Sequence, residues 1–204
     1  LSVVGNGFYT RLNNAFDQVA TQDGRRLNKV NREGAEVAGG GLELRAGRPG
    51  VFTAQASFTG QIARFFEPRA WFDDPEQDLE LTDNRILRTP NWYGYMLLTW
   101  QPEVNTTLNF SGVYTGSMPV PHVEGDIEQP ELVETPDFFE LNVRASYRIV
   151  LSGALFLTVH AGVQNLFNSF QSDFDTGPNR DAGYVYGPAR PRTYYAGFTL
   201  TPNL

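Results

Sequence analysis

The chain has only two histidines, His122 and His160, as candidates for proton transfer near neutral pH. His160 follows a segment that carries Glu140 and Arg144, and these groups beside an imidazole could form a general-base cluster. We favour a polar hydrogen-bond network instead, because no serine-centred nucleophile motif, phosphate loop or paired-histidine metal spacing accompanies these residues. The absence of cysteine excludes a thiolate nucleophile, a thiolate metal site and a disulfide.

His122 lies in the second of two acidic segments. Residues 67–83 carry seven acidic side chains, and residues 122–137 carry six and no lysine or arginine. Such carboxylates can hold Ca²⁺, or they can disfavour anionic ligands. The third interpretation is a solvated acidic loop without either role. Neither segment has the spacing of an EF-hand, so the sequence assigns no metal ligand.

A third segment, residues 167–191, mixes aromatic side chains with aspartate and arginine. Aromatic residues and arginine dominate recognition sites, so one interpretation is a ligand-contact surface. The other is a rigid loop in which aspartate and arginine pair while glycine and proline fix its turns. The sequence leaves both open. The candidates for ligand contact, taken with the loop histidine, are His122, Asp173, Asp175, Tyr186 and Arg190.

Period-two alternation indicates the elements that must position these residues. In "ELNVRASYRIVLSGALFLTVHAG" (140–162), apolar residues from Leu141 onward alternate with polar ones, and the pattern resumes after Ser152 and Gly153. This pattern predicts two strands joined as a hairpin. Similar alternation recurs along the chain and predicts about eight strands, each near the 9–11 residues of a tilted membrane strand.

The connections between these strands are of two kinds that alternate strictly. The short ones are residues 46–50, 101–105 and 150–154, and the long polar ones are residues 18–27, 66–89, 119–136 and 167–191. Strict alternation places every short turn at one end of the sheet and every long loop at the other. Bacterial outer-membrane barrels sort their connections in this way.

The two faces of the predicted sheet indicate which solvent each one meets. One face is apolar, while the other carries Glu140, Arg144, Arg148 and His160. Burying these charges without water would be very costly. We therefore expect apolar residues to face lipid and these four residues to face the lumen of an antiparallel transmembrane β-barrel. Aromatic residues at strand ends suit interfacial girdles: Trp92, Tyr93, Trp100, Phe138, Phe139, Tyr194 and Tyr195.

Bulk composition agrees with this prediction. The net charge of −7 argues against nucleic acid or another polyanion as partner. No run approaches the roughly 18 apolar residues of a membrane-spanning helix. A low mean hydropathy is usual for soluble proteins, but a membrane barrel shares it because only one of its faces is apolar.

Several stretches resemble the C-terminal part of TonB-dependent outer-membrane receptors of the iron-chelate and vitamin-type branch. They are "FYTRLNNAF" (8–16), "NREGAEVAGGGLELRAG" (31–47), "RTPNWYGYMLLTW" (88–100), "YTGSMPVPH" (114–122), "AGVQNLFN" (161–168), "DAGYVYGPARPRTYY" (181–195) and "PRTYYAGFTL" (191–200). The resemblance implies a barrel of about 22 strands around a plug. Residues 1–204 would then supply about its last eight strands, while the plug and earlier strands lie outside this chain.

The resemblance also implies a function and partners. The expected function is uptake of a large scarce nutrient, most plausibly an iron–siderophore or similar metal chelate, across the outer membrane of a Gram-negative bacterium. The TonB complex would act through the plug, and lipids, lipopolysaccharide and a surface lipoprotein are further expected partners. The resemblance implies no enzyme and no cofactor in this chain. Ca²⁺ in the acidic loops is an expectation from their carboxylates alone.

Two other functions stay open from the residues alone. Eight strands can close by themselves into a small barrel with a structural or adhesive role. An outer-membrane enzyme is the second, and His122 would be its loop histidine. Pairing between the first and last strands would distinguish the self-contained barrel from the receptor segment.

Overall fold

A computed structural model describes residues 1–20, 27–74, 77–153 and 155–202, with the backbone alone at 15–20 and 27–32. Across these ranges no helix is long and apolar enough to cross a membrane. The regular elements described are strands: β1 (Ser2–Leu12), β2 (Ala15–Ala20), β3 (Leu27–Arg32), β4 (Ala35–Arg48), β5 (Phe52–Asp74), β6 (Leu79–Arg85), β7 (Trp92–Glu103), β8 (Thr106–Thr115), β9 (Pro119–His122), β10 (Glu131–Glu134), β11 (Phe138–Ser152), β12 (Leu155–Gln164) and β13 (Thr193–Pro202).

Eight of these strands form one antiparallel wall in the order β1-β4-β5-β7-β8-β11-β12-β13, and β6 pairs with the far end of β5. The all-β, antiparallel prediction is confirmed. β1 and β13 are described over their full lengths, and they lie at opposite ends of the wall without pairing with each other. The sheet is therefore open, a partial barrel.

The alternation of short and long connections is also confirmed. β4 and β5, β7 and β8, and β11 and β12 are joined by short turns at one end, and the long connections gather at the other end. We call that second end the loop end.

The predicted long loops are more ordered than their sequences suggest. β5 continues to Asp74 and pairs with β6, while β2 with β3 and β9 with β10 form small separate hairpins. The predicted loops 18–27 and 66–89 extend partly over residues 21–26 and 75–76, which lie outside the described ranges. These elements lie outside the predicted membrane-spanning wall, where no rule requires one face to be apolar, so a regular alternation need not reveal them.

Cross-strand register shows that each face continues from strand to strand. Val143 of β11 lies opposite Phe110 of β8 and Val163 of β12. One residue further, Arg144 lies opposite Asn109 and Gly162. Because directly paired residues share a face, the wall has one continuous apolar face and one polar face.

The predicted aromatic girdle holds for one residue of each neighbouring pair. Trp92, Phe139 and Tyr194 share the apolar face with Phe58 and Phe198, whereas Tyr93, Phe138 and Tyr195 lie on the polar face. The reason is that successive side chains of a strand point to opposite sides. On the apolar face, the rings of Phe58 and Trp92 stack with their centroids 5.6 Å apart.

Candidate functional site

The most buried apolar side chains of the described residues lie at the loop end. Val120 of β9 is fully buried, and it packs with Phe138, Tyr184 and Tyr186. This small core joins two segments: residues 119–134, called here the hairpin, and residues 165–192, called the last loop. Together we call them the cap.

His122 is held at the joint between the two segments. Its ring lies on the ring of Tyr184, with centroids 3.9 Å apart and planes 5° apart. Its Nε2 is 3.0 Å from Oδ2 of Asp175, and the side chain is only 8% exposed. Two predicted ligand-contact residues, His122 and Asp175, are therefore brought together and contact each other.

Asp173 accepts hydrogen bonds from two tyrosine hydroxyls, at 2.8 Å from Tyr184 and 2.5 Å from Tyr186. Burial opposes ionisation of Asp173, but the hydrogen bonds from Tyr186 and Tyr184 outweigh it and lower its pKa. Burial, followed by the hydrogen bond to this carboxylate, raises the pKa of Tyr186 to about 12. The predicted contacts Asp173 and Tyr186 thus form a charged acceptor and a neutral donor at physiological pH.

Asp181 is a central residue that the sequence analysis missed. Its Oδ2 accepts a hydrogen bond from the Val123 N–H at 2.9 Å, and its Oδ1 accepts one from the Gly183 N–H at 2.7 Å. Its own N–H donates to Asp175 Oδ2 at 2.9 Å. Burial opposes ionisation of Asp181, yet the backbone donors, with that of Val123 first among them, lower its pKa. The available signal was an aspartate two residues before a glycine, which is a turn motif.

Arg88, which the sequence analysis also missed, holds the connection between β6 and β7 to the cap. It lies between β6 and β7 with a φ of 56°. Its backbone N–H donates to the Pro119 carbonyl at 2.9 Å, and its guanidinium donates to the carbonyls of Val185 at 2.8 Å and Gly183 at 2.5 Å. A single arginine thereby links the hairpin with the last loop.

Arg190, the fifth predicted contact residue, is separate from the other four. Its side chain is exposed, while its carbonyl accepts a hydrogen bond from Asn165 Nδ2 at 2.8 Å. Asn165 is 1% exposed and also bonds the backbone of Ser169, so it closes the base of the last loop. The guanidinium of Arg190 stays open to solvent, and ligand contact by these five residues remains a prediction.

The last loop encloses a groove of about 710 Å³. Its lining includes Phe170, Phe174, Asp175, Arg180, Tyr186 and Pro191. One interpretation expected aspartate to pair with arginine in this loop, but Asp173, Asp175 and Asp181 accept from hydroxyls, backbone N–H groups and imidazole. Arg180 donates instead to the Gly177 carbonyl at 3.1 Å.

The four residues predicted to face the lumen all lie on the polar face. Glu140 accepts from Asn142 Nδ2 at 3.1 Å, and the Arg148 guanidinium lies 5.7 Å from the ring centroid of Phe156. The rings of His160 and Tyr195 have centroids 6.4 Å apart. None of these contacts joins His160 to Glu140 or Arg144 as a general-base cluster requires. Only the first of them is a hydrogen bond, and His160 Nδ1 is buried without a hydrogen-bond partner among the described residues, so a network that includes His160 stays a prediction.

Several acidic residues of the long connections have structural partners. Arg85 pairs with Asp83 at 2.9 Å and also with Glu134, while Asp137 accepts from the Tyr114 hydroxyl at 2.8 Å. Within the described ranges, no group of three or more His, Asp or Glu side chains could hold a metal ion. Calcium in the acidic loops stays a prediction.

Comparison with known proteins decides the family. Residues 1–166 match the family model described as TonB dependent receptor-like, beta-barrel. The chain belongs to this family. The TonB-dependent receptor barrels are an outer-membrane family of Gram-negative bacteria. No curated protein matches the chain by sequence.

Solved TonB-dependent receptors share the fold. The ferric-catecholate import receptor Fiu of Escherichia coli K12 superposes with a TM-score of 0.62 at 17% identity, over 98% of this chain and 25% of that one. FpvA of Pseudomonas aeruginosa, solved with an iron-loaded pyoverdine, gives 0.65 at 13%, over 98% and 24%. The ferric enterobactin receptor PfeA of the same species gives 0.59 at 15%, over 98% and 29%. This TonB-dependent receptor chain therefore spans about a quarter of their length, in the C-terminal part of the barrel.

Proposed function

We propose that this chain forms part of the wall and the extracellular mouth of a TonB-dependent receptor that takes up a large scarce nutrient, an iron–siderophore or similar metal chelate. The observation that carries the proposal is the family match over residues 1–166. The open eight-stranded wall with its long connections at one end supports it. In this function the chain binds and conducts a ligand and catalyses no reaction.

The open wall favours a receptor segment over a self-contained barrel. A closed eight-stranded ring requires pairing between β1 and β13, and these strands have no such pairing. Each exposes an unpaired edge, which a sheet normally completes with a further strand. We propose that other strands of the receptor complete it and that a plug fills the lumen against Arg144, Arg148, Glu140 and His160.

The groove in the last loop is the proposed ligand-contact surface. Phe174 is 50% exposed and Val185 62% exposed, and they line the groove together with the cation Arg180. Exposed apolar groups rimmed by polar ones are typical of binding grooves. Planar or anionic portions of a metal chelate fit such a surface, because aromatic rings provide contact area and guanidinium groups bind anions. Asp175 and Tyr186 also line this groove.

Other partners follow from the same proposal. The TonB complex would act through the plug. Lipid and lipopolysaccharide would surround the apolar face, and a surface lipoprotein could dock at the loop end. Calcium could occupy the acidic connections. A nucleic-acid partner is not proposed, given the net charge of −7.

Uptake of radioactive iron by cells that carry the full-length protein tests the proposal. A panel of ferric catecholate, hydroxamate and mixed chelates is supplied with and without a functional TonB complex. The proposal expects TonB-dependent accumulation with at least one chelate class. It also expects that replacing Phe174 and Arg180 by alanine weakens binding of that chelate. No TonB-dependent accumulation with any of these chelates would refute the proposed function.

A further inference from the structure

The last loop is attached to the hairpin at two distinct places. The base of the contact is apolar and consists of Val120 against Tyr184 and Tyr186. Beyond β9 the contact becomes polar. There the carboxylate of Asp181 meets the backbone N–H of Val123 at 2.9 Å and that of Glu124 at 3.4 Å.

The polar attachment is buried and charged. Asp181 is 6% exposed, and a buried carboxylate that lost its donors would carry a large desolvation cost. His122 adds a second link across the same joint through Asp175. Charge-assisted hydrogen bonds are roughly twice as strong as neutral ones. We therefore expect the bonds of Asp181 and Asp175 to supply most of the polar stabilisation between the hairpin and the last loop.

The groove depends on the same residues. Asp175, Asp181 and Tyr184, which hold the loop to the hairpin, also line the groove. All residues that line the groove belong to the last loop, so releasing Asp175 and Asp181 from the hairpin would free two of them to move.

We propose that Asp181 is a positioning residue that latches the last loop to the hairpin, so that the two segments open and close as a single cap and the groove keeps its shape only while the latch is closed. The inference rests on the proposed function only where it concerns ligand affinity. The latch itself is a property of the fold.

A purely local role is the alternative, because Oδ1 of Asp181 also accepts from Gly183 and Tyr184 within the last loop. The substitution Asp181→Asn separates the two roles. Its single carbonyl oxygen can serve the local turn, but its amide nitrogen cannot accept a hydrogen bond from Val123. A matched control is Asp126→Asn, the same change at an exposed position of the hairpin.

Amide hydrogen exchange of the full-length protein in detergent, followed in peptides that cover 119–134 and 167–191, tests the latch. For Asp181→Asn we expect both peptides to exchange about tenfold faster or more, the effect of losing a charged hydrogen bond. Asp126→Asn should leave both unchanged. Faster exchange confined to 167–191 would show a local turn and overturn the latch.

A second variant, His122→Gln, keeps the test informative where Asp181→Asn fails to fold. It removes the ring stacked on Tyr184 and leaves Asp181 in place, so both peptides should again exchange faster together. Unchanged exchange in the last-loop peptide, which does not carry this substitution, would overturn the latch. Binding of the ferric chelate is measured separately. Coupled exchange without any chelate binding would leave the latch standing and refute the proposed function instead.

Discussion

The imidazole of His122 lies nearly parallel to the phenol ring of Tyr184, with 3.9 Å between the ring centroids. The hairpin supplies the first ring and the last loop the second. The histidine therefore acts as a packing surface, and its Nε2 is occupied by Asp175. This geometry gives no support to an enzyme that uses His122 as its loop base.

Replacing His122 by alanine should loosen the last loop without unfolding the wall. The change removes one aromatic contact and one hydrogen bond, which together are worth about 1–3 kcal/mol. Limited proteolysis should cleave within residues 167–191 faster than in the parent protein. Glu128→Gln, at an exposed position of the hairpin, is the control. Equal cleavage of the His122 variant and the control would contradict the packing role.

Gly125 and Gly177 form a matched pair for testing how closely the hairpin backbone approaches Asp175. Both have a positive φ, 97° and 91°, so alanine is strained by about 1–3 kcal/mol at either position. A methyl group at Gly125 would also overlap the Asp175 carboxylate, whereas nothing lies within 4 Å of one at Gly177. Gly125→Ala should therefore accelerate proteolysis of the last loop more than Gly177→Ala. The same rate in both variants would mean that Asp175 moves aside freely.

Removing the charge of Asp173 should lower the pKa of Tyr186. That pKa is raised to about 12 by burial first and then by the hydrogen bond to Asp173. Asp173→Asn should shift it part of the way towards the ordinary value of about 10, since burial remains. Ultraviolet absorbance of the phenolate, compared with a Tyr186→Phe variant, measures the shift. An unchanged titration would exclude Asp173 as a contributor.

Protonation of its aspartates should loosen the cap in acid, and these groups should cause no change between pH 5 and 8. Backbone donation from Asp181 and then the bond from His122 lower the pKa of Asp175, and the pKa values of Asp173 and Asp181 are lowered as well. A carboxylate with a lowered folded pKa stabilises the fold above its unfolded pKa of about 4 and loses that contribution as the pH falls through the folded value. Near-ultraviolet circular dichroism of the tyrosines should change only below about pH 4, and Asp181→Asn should reduce the pH dependence.

Gly60 of β5 tests the packing of the apolar face. A methyl group there would overlap the ring of Trp92, whereas nothing lies within 4 Å of one at Gly5, which is on the same face of β1. Overpacking costs about 1–3 kcal/mol. Gly60→Ala should therefore lower the urea concentration at which the barrel unfolds, and Gly5→Ala should not. Equal midpoints would show that Trp92 has room to turn away.

The sequence predicted the wall well because lipid imposes a strict rule on it. Each membrane strand must present apolar side chains on one side, so Leu141, Val143 and Ala145 reveal β11 by their spacing. No such rule applies beyond the membrane. β9 contains Pro119 and Pro121, which argue against a strand, yet it pairs with β10 as an edge hairpin where missing N–H donors are tolerated.

The site was predicted only in part, for a related reason. Asp173, Asp175, Tyr186 and His122 were singled out by residue type, and the fold brings them together. Asp181 and Arg88 gave no comparable signal, because residue type alone does not show whether a charged side chain is buried or solvated. The guanidinium of Arg88 reaches carbonyls 95 and 97 residues away, a relationship that exists only once the barrel wall has aligned the connections.

The register of β11 limits how this protein can change in length. Val143 sits between Phe110 and Val163, and Arg144 follows on the other side. One inserted residue in β11 would turn every later side chain over, so that Arg148 would enter hydrocarbon while Ile149 entered water. Natural insertions and deletions, and engineered tags, should therefore be confined to the loop end or come in pairs within the strands.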